Sequence, residues 1–272
     1  MNNNIQNKVK SLEIDILKEL DRICISNNIT YFLAYGTLLG AVRHHGFIPW
    51  DDDIDVYMPK LDFDKFMVVS QRELDKKKYF LQTFSTDNKY PLPMKKIRLV
   101  GTRFVEKEYD KMQSEGIWID IFPMGTTKSN KSIFQLFKFK VVNVLSLVKC
   151  IKLGWSDLQG TSMFTRIISL ILKPFTPNFV NGLMERVGFS NSYGEYFVEY
   201  FGCYGFAKQT FLKSDFFPPK KLMFEGNLYQ VPNNYNNILK TIYGLNYMEL
   251  PPVEKRKTHK PILVDLGCYD ED

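Results

Sequence analysis

The 272-residue chain is predicted to be an α+β protein, a mixed sheet flanked by helices with a helical basic insertion. Three observations predict this. Helical-period apolar stretches alternate with short strand-like runs in the first half of the chain and again in its tail. Aspartates alternate with apolar residues in DIDVYM, a period-two pattern. Between Ile121 and Met184 the only acid is Asp157, and that span is basic, apolar and helical in character. No internal repeat or low-complexity linker interrupts the chain. Residues 1–272 are therefore expected to form one domain, with a helical basic subdomain at about 128–188.

Val9, Leu12, Ile16, Leu20 and Ile23 recur at helical spacing, so the first 27 residues are predicted as an amphipathic helix. ITYFLAYG follows as a buried strand ending at Gly36, then TLLGAVRHH as a short helix closed by Gly46. DIDVYM is a strand with Asp53 and Asp55 on one face and Ile54 and Val56 on the other. A helix is expected over about Leu61–Leu74. YFLQTF, MKKIRLV and TRFVEK read as strands, the last two joined by a turn at Gly101. GIWIDIFPM is another strand, expected to stop at Pro123, and it carries a lone carboxylate, Asp120. The span 128–188 should break near Gly154, Gly160 and Pro174. In the tail, MFEGNLYQV is expected to form a hairpin turning at Gly226-Asn227, and NNYNNILKTIYG a helix closed by Gly244.

Composition narrows the function. No run of about 18 uncharged apolar residues exists, so a spanning helix is not expected. MNNNIQNKVK lacks an apolar signal core, which points to a cytoplasmic chain. Cys24, Cys150, Cys203 and Cys268 form no Cys-x-x-Cys pair, which argues against a zinc site or a disulfide framework. The net charge of +6 is uneven: eight basic residues against one acid put +7 between Ile121 and Met184. No recognised nucleic-acid-binding module accompanies that charge, so nucleic acid is not the expected partner. IFQLFKFKVVNVLSLVKCIKLGW is either a packed subdomain whose lysines snorkel outward or a surface that lies on anionic lipid.

GTLLGAVRHHGFIPWDDDIDVYMP concentrates the chemistry. Asp51, Asp52, Asp53 and Asp55 crowd together, and unpaired carboxylates at that density repel one another. Asp53 and Asp55 can reach a common ion, and hard oxygen ligands of this kind suit Mg²⁺ or Mn²⁺. Asp120, on a neighbouring strand, is placed to complete such a site. An EF-hand starting at Asp51 fails, because Val56 and Asp62 stand where Gly and Glu are needed. A haloacid-dehalogenase-type Asp-x-Asp-x-Thr is disfavoured by Tyr57. The Asp-x-Asp of nucleotide-sugar glycosyltransferases fits the acids but leaves Gly36-Thr37 unexplained. A strand ending in Gly-Thr, a short helix, then an Asp-x-Asp strand is similar to the plan of the nucleotidyltransferase superfamily, in which small residues let phosphate approach a helix N-terminus.

YGTLLGAVRHHGFIPWDDDIDVYMP resembles the signature of the LicD family, bacterial phosphocholine-type transferases related to fukutin and fukutin-related protein. The resemblance continues through KKIRLVGTRFVE, GIWIDIFPM, FEGNLYQVP and IYGLNYMELPPVEKRKTHKP. It implies a nucleotidyltransferase-like fold and metal-dependent transfer of a phospho-alcohol from a CDP-activated donor to a glycan hydroxyl, with release of CMP. The metal then falls on Asp51, Asp53, Asp55 and Asp120, with Asp120 completing the site or accepting the hydroxyl proton. Arg43 and His44 lie beside the Gly36-Thr37 turn and could bind phosphates; Lys96 and Arg98 share a strand face and could bind the diphosphate. Arg256 and His259 are expected to fold back over the site, and Glu225 is a candidate through the family's Phe-Glu-Gly. His45 departs from the family, which often has Gly there. Trp50 and Trp118 are expected in the core. A lipid-carried glycan acceptor would favour peripheral contact with anionic membrane. The rival readings are a nucleotidyltransferase releasing diphosphate, an Asp-x-Asp glycosyltransferase and an inactive binding module. The alcohol, among phosphocholine, phosphoethanolamine, glycerol phosphate and ribitol phosphate, stays open.

Overall fold

The computed structural model describes residues 3–106, 115–189, 193–202, 204–256, 258–259 and 261–270. In chain order they form α1 (Asn3–Ser26), β1 (Phe32–Leu33), α2 (Tyr35–Arg43), β2 (Asp55–Pro59), α3 (Lys60–Glu73), β3 (Tyr79–Gln82), β4 (Lys95–Leu99), β5 (Arg103–Glu106) and β6 (Trp118–Thr127). They continue as α4 (Ile133–Lys152), α5 (Met163–Ile171), α6 (Pro177–Gly188), β7 (Tyr196–Glu199), β8 (Thr210–Leu212), β9 (Lys220–Phe224), β10 (Asn227–Val231), α7 (Tyr235–Tyr243) and β11 (Pro261–Asp265).

β6 is the spine of a mixed sheet. It pairs in parallel with β2, Asp55 opposite Asp120 and Tyr57 opposite Phe122, and antiparallel with β4, Lys96 opposite Asp120. Its far half pairs with β7, while β1, β3 and β8 extend the sheet from β2, β4 and β7. The α+β class and the mixed sheet are therefore as the sequence predicts. The apolar stripe of α1 explains its docking: Val9, Ile16, Leu17, Leu20 and Ile23 are fully buried. Each such aliphatic side chain contributes about 1.5–3 kcal/mol of burial free energy.

Four local expectations need correction. β6 runs through Pro123 instead of stopping there. Asp120 N donates to Ile54 O, so by alternation the Pro123 nitrogen faces the opposite edge. There it falls between Ile121, the last residue paired to β4, and Met124, the first paired to β7, so no ladder needs its missing N–H. β2 begins at Asp55, which leaves Asp53 in the extended segment before it. β1 ends at Leu33 instead of Gly36, because α2 already begins at Tyr35. The expected turn at Gly101 is present, with positive φ, and the strand β5 beyond it pairs with β11 near the C-terminus, a strand the tail's composition did not reveal. The β9–β10 turn consists of Glu225-Gly226, with Phe224 opposite Asn227 and positive φ at both turn residues, as a two-residue hairpin loop requires.

The span 128–188 holds the helices α4, α5 and α6, broken where Gly154 and Gly160 take positive φ. Phe139, Val142, Val148, Val180 and Met184 pack with Val198 and Tyr200 of the β7 region into a second apolar cluster. α5 buries only Thr165, and its Met163, Ile167, Leu170 and Ile171 face outward, half or more exposed. Among the described residues no helix is long and apolar enough to cross a membrane. Cys24 is buried and unpaired, Cys150 and Cys268 are free, and Cys203 lies outside the described residues.

Candidate active site

A cavity of about 840 Å³ opens over the β2–β6 pair, and Asp51, Asp53, Asp55 and Asp120 all line it. The parallel register of β2 and β6 sets Asp55 beside Asp120 on one sheet face. The loop after α2 brings Asp51 and Asp53 to the same rim. Thr37 is a positioning residue: its hydroxyl accepts the Asp55 N–H at 2.8 Å, tying α2 to the start of β2. Gly36 is required by close approach, because a Cβ there would lie 2.3 Å from Asp51 Oδ2. The space expected to admit a phosphate at the start of α2 is thus occupied by the Asp51 carboxylate.

The acids repel one another as the sequence implies. Burial first, then Asp53 and Asp52, raise Asp51 to about 8. Burial also raises Asp53, with His259 opposing, and raises Asp55 well above the carboxylate range, with Asp53 and Asp120 adding to it. Asp120 is held differently: its Oδ2 accepts from Lys96 Nζ at 2.7 Å and from Trp118 Nε1 at 3.0 Å. Its Oδ1 is buried with no hydrogen-bond partner. A buried carboxylate oxygen without a partner, beside crowded acids of raised pKa, fits the demand of a hard dication. The fit is in chemistry and placement: among the described residues, no three acids, histidines or cysteines stand at metal-holding spacing. The carboxylates must turn toward a shared centre to bind one ion.

Of the other expected site residues, Gly36 and Arg43 line the cavity, whereas Thr37, His44, Lys96, Arg98, Glu225, Arg256 and His259 do not. Lys96 lies behind Asp120, and its ammonium sits 4.2 Å from the Trp118 ring centre. Arg98 is engaged inside the sheet, its guanidinium donating to Gln82 Oε1 and Gly116 O at 2.5 Å. That corrects the expectation that Arg98 meets the diphosphate. Glu225 acts as a structural clamp: its Oε1 accepts the Phe47 N–H at 3.0 Å, and its N–H donates to His45 O. His44 accepts from Arg43 Nε at 3.0 Å. Arg43 lines the cavity while donating to the carbonyls of Tyr247 and Glu249, and so fixes the C-terminal loop over the site. Arg256 stacks on Trp50 at 4.2 Å. Trp50 is therefore half-buried at the rim of the cavity, whereas Trp118 is buried as expected.

His259 folds back as expected, onto the acidic loop. Asp52 Oδ1 accepts its N–H at 3.1 Å and meets its Nδ1 at 2.9 Å, and its Nε2 lies 4.0 Å from Asp53. Burial alone would lower its pKa, but the Asp52 hydrogen bond and the charges of Asp53 and Glu106 outweigh it and raise His259 to about 9. His45 adopts φ +57°, the left-handed region in which glycine is at ease.

Sequence reasoning missed several residues here. Glu13 of α1 is 3 % exposed, and burial followed by Asp53 and Asp52 raises it well above the carboxylate range. The signal was a carboxylate on the apolar stripe, four residues after Val9 and three before Ile16. Lys255 joins Arg43 as the second cation among the described residues lining the cavity. Glu106 faces His259 at 3.7 Å. Tyr35, Tyr204 and Tyr243 form an aromatic wall of the cavity that nothing in their spacing announced.

Comparison with known proteins agrees with this geometry. Residues 28–140 match the family model described as LicD/FKTN/FKRP, nucleotidyltransferase domain. The chain is 30 % identical over 255 residues to the lipopolysaccharide cholinephosphotransferase LicD of Haemophilus influenzae, covering 90 % of this chain and 92 % of that protein. Uncharacterised proteins of Rickettsia prowazekii and Rickettsia typhi are each 51 % identical over 41 residues, 15 % of this chain and 15 % and 13 % of theirs. With that extent of similarity, and with β2 and β6 carrying the acids that the motif predicts, the chain belongs to the LicD/fukutin/fukutin-related protein family as a transferase of the LicD type.

Proposed function

We propose that the chain transfers phosphocholine from CDP-choline to a hydroxyl of a lipopolysaccharide-type glycan, releasing CMP. The observation that carries this is one cavity lined by four aspartates and two cations in a chain similar along nine-tenths of its length to a lipopolysaccharide cholinephosphotransferase. Asp53, Asp55 and Asp120 would hold Mg²⁺, which when bound neutralises phosphate charge. Arg43 and Lys255 face the diphosphate from the C-terminal side of the cavity. The acceptor oxygen forms a new P–O bond as the bond to CMP breaks, and the hydroxyl proton passes to a carboxylate. Asp51 lines the same cavity and, raised to about 8 by burial and by Asp53 and Asp52, is placed to take that proton, while Asp120 Oδ2 is engaged by Lys96. Most of the rate gain in such a transfer is positioning and charge neutralisation.

The test is incubation with CDP-choline, Mg²⁺ and a lipooligosaccharide acceptor. CMP should appear in step with phosphocholine on the glycan, and Asp53→Asn or Asp55→Asn should abolish it with the fold retained. Release of diphosphate, or of a nucleoside diphosphate, would instead establish nucleotidyl or glycosyl transfer.

A lipid-carried acceptor also gives the outward apolar face of α5 a use. Met163, Ile167, Leu170 and Ile171, flanked by Arg166 and Lys173, suit the surface of an anionic membrane. The protein should bind phosphatidylglycerol vesicles with steep salt dependence, and Ile167→Ser with Leu170→Ser should weaken that binding. Equal binding to neutral phosphatidylcholine vesicles would refute an electrostatic role.

A further inference from the structure

The sheet face beneath the cavity carries two consecutive rows. Asp55 and Asp120 make the first; two residues on, Tyr57 and Phe122 make the second. Two strand residues span roughly 6–7 Å. Tyr35 packs on that second row, its ring 4.9 Å from Tyr57 and 5.3 Å from Phe122. Tyr204 stacks on Tyr35 at 5.6 Å and 28°, and Tyr243 meets Tyr204 edge-on at 5.7 Å. Tyr35, Phe122, Tyr204 and Tyr243 all line the same cavity as the acids. Aromatic rings therefore begin one strand step beyond the carboxylates.

The stack is held in place at a cost. Tyr35 adopts φ +42°, a left-handed conformation rare for a bulky residue, at the strand-to-helix turn. Its hydroxyl donates to Glu199 Oε2 at 2.8 Å. Glu199 is fully buried, and its oxygens also accept from the Phe201 and Gly202 N–H groups at 2.5 Å and from Gln209. Strain that persists only because the surroundings over-determine it marks a site whose shape is used.

We infer that the Tyr35–Tyr204–Tyr243 wall with Phe122 is the subsite for the quaternary ammonium of choline. The assignment rests on the phosphocholine-transfer reading above. A trimethylammonium has no N–H to donate and is recognised by aromatic faces through cation–π attraction. A primary ammonium or a polyol needs hydrogen-bond acceptors, and the carboxylate behind this wall already has its oxygens taken by four donors. The phosphate end of phosphocholine then lies over the aspartates, and its two-carbon link bridges the step to the aromatic row.

The test measures kcat/KM for CMP release from CDP-choline, CDP-ethanolamine and CDP-glycerol, with wild-type protein, Tyr204→Leu, Tyr243→Leu and Tyr204→Phe. Tyr204 is 38 % exposed, so leucine is tolerated there. Wild type should prefer CDP-choline over CDP-ethanolamine by about tenfold or more, and each leucine variant should collapse that ratio toward one. Tyr204→Phe, which keeps the ring face, should keep the ratio. If wild type releases CMP from CDP-choline but the leucine variants leave the ratio unchanged, the wall is not the subsite while the transfer reading stands. Preference of wild type for CDP-ethanolamine or CDP-glycerol overturns the subsite together with the choice of phosphocholine, and leaves only CDP-alcohol transfer standing. No CMP from any of the three donors overturns both.

Discussion

Lys96→Met tests whether Asp120 is both half of a buried ion pair and a metal ligand. Lys96 and Asp120 are 4 % and 10 % exposed at their side chains and 2.7 Å apart. At that distance and an effective dielectric of about 20, their gross attraction is about 6 kcal/mol. Desolvation offsets most of it: burial lowers the pKa of Lys96 although Asp120 pulls it upward. Removing only the lysine leaves Asp120 buried with one donor, Trp118 Nε1, and that should cost about 3–5 kcal/mol of stability. Lys96→Met with Asp120→Asn removes the stranded charge, so the double variant should lose less than Lys96→Met alone. The assay is urea unfolding in EDTA and in excess Mg²⁺. Mg²⁺ should restore more stability to Lys96→Met than to wild type, because an unpaired Asp120 binds a cation more tightly and binding to the folded state adds to stability. A loss below about 1 kcal/mol in EDTA would refute the buried-pair argument. Equal stabilisation by Mg²⁺ of wild type, Lys96→Met and the double variant would remove Asp120 from the metal site.

Three further outcomes follow from the same geometry. The folded pKa of His259, about 9, exceeds the ordinary 6.5, so its contribution to stability is complete below pH 6.5 and disappears as pH rises through 9. In metal-free protein, His259→Asn should flatten that part of the stability–pH curve, and an unchanged curve would show that Asp52 does not depend on this clamp. His45→Gly relieves φ +57° at an exposed position and should raise stability by up to about 1 kcal/mol, read as a higher urea midpoint. Gly36→Ala puts a Cβ 2.3 Å from Asp51 Oδ2 and should lower kcat about a hundredfold with only a small loss of stability; near-normal turnover would mean that the position of Asp51 is unimportant.

The strands and helices that flank the acids were legible because each has one dominant period. The α1 stripe, the alternation around Asp55 and the lone Asp120 among isoleucines all led to where those residues stand. Their partners were not legible, because they come from distant parts of the chain. Nothing in TRFVEK tells that β5 pairs with residues near 263, and nothing near Arg98 tells that Gln82 will engage its guanidinium. The Pro123 expectation failed for a related reason: whether a proline ends a strand depends on which edge its nitrogen faces, and that is a property of the sheet.

A lone acid in an apolar run proved to be the most informative local signal, but it marks two different roles. Asp120, Glu13 and Glu199 all interrupt apolar patterns, and all three are buried. An isolated buried carboxylate is unfavourable unless something meets it, so each position implies a partner. For Glu199 the partners are the Tyr35 hydroxyl, two backbone N–H groups and Gln209, and they occupy both of its oxygens. For Asp120 and Glu13 one oxygen each remains without a partner, and both lie among other acids. Satisfaction therefore separates the roles. The acid whose oxygens are filled builds the wall of the site, and the acids left incomplete stand where the proposed metal would be held. On that criterion Glu13, buried close to Asp52 and Asp53, belongs to the electrostatic environment of the proposed metal site although it does not line the cavity, and burial with those neighbouring charges raises its pKa well above the carboxylate range.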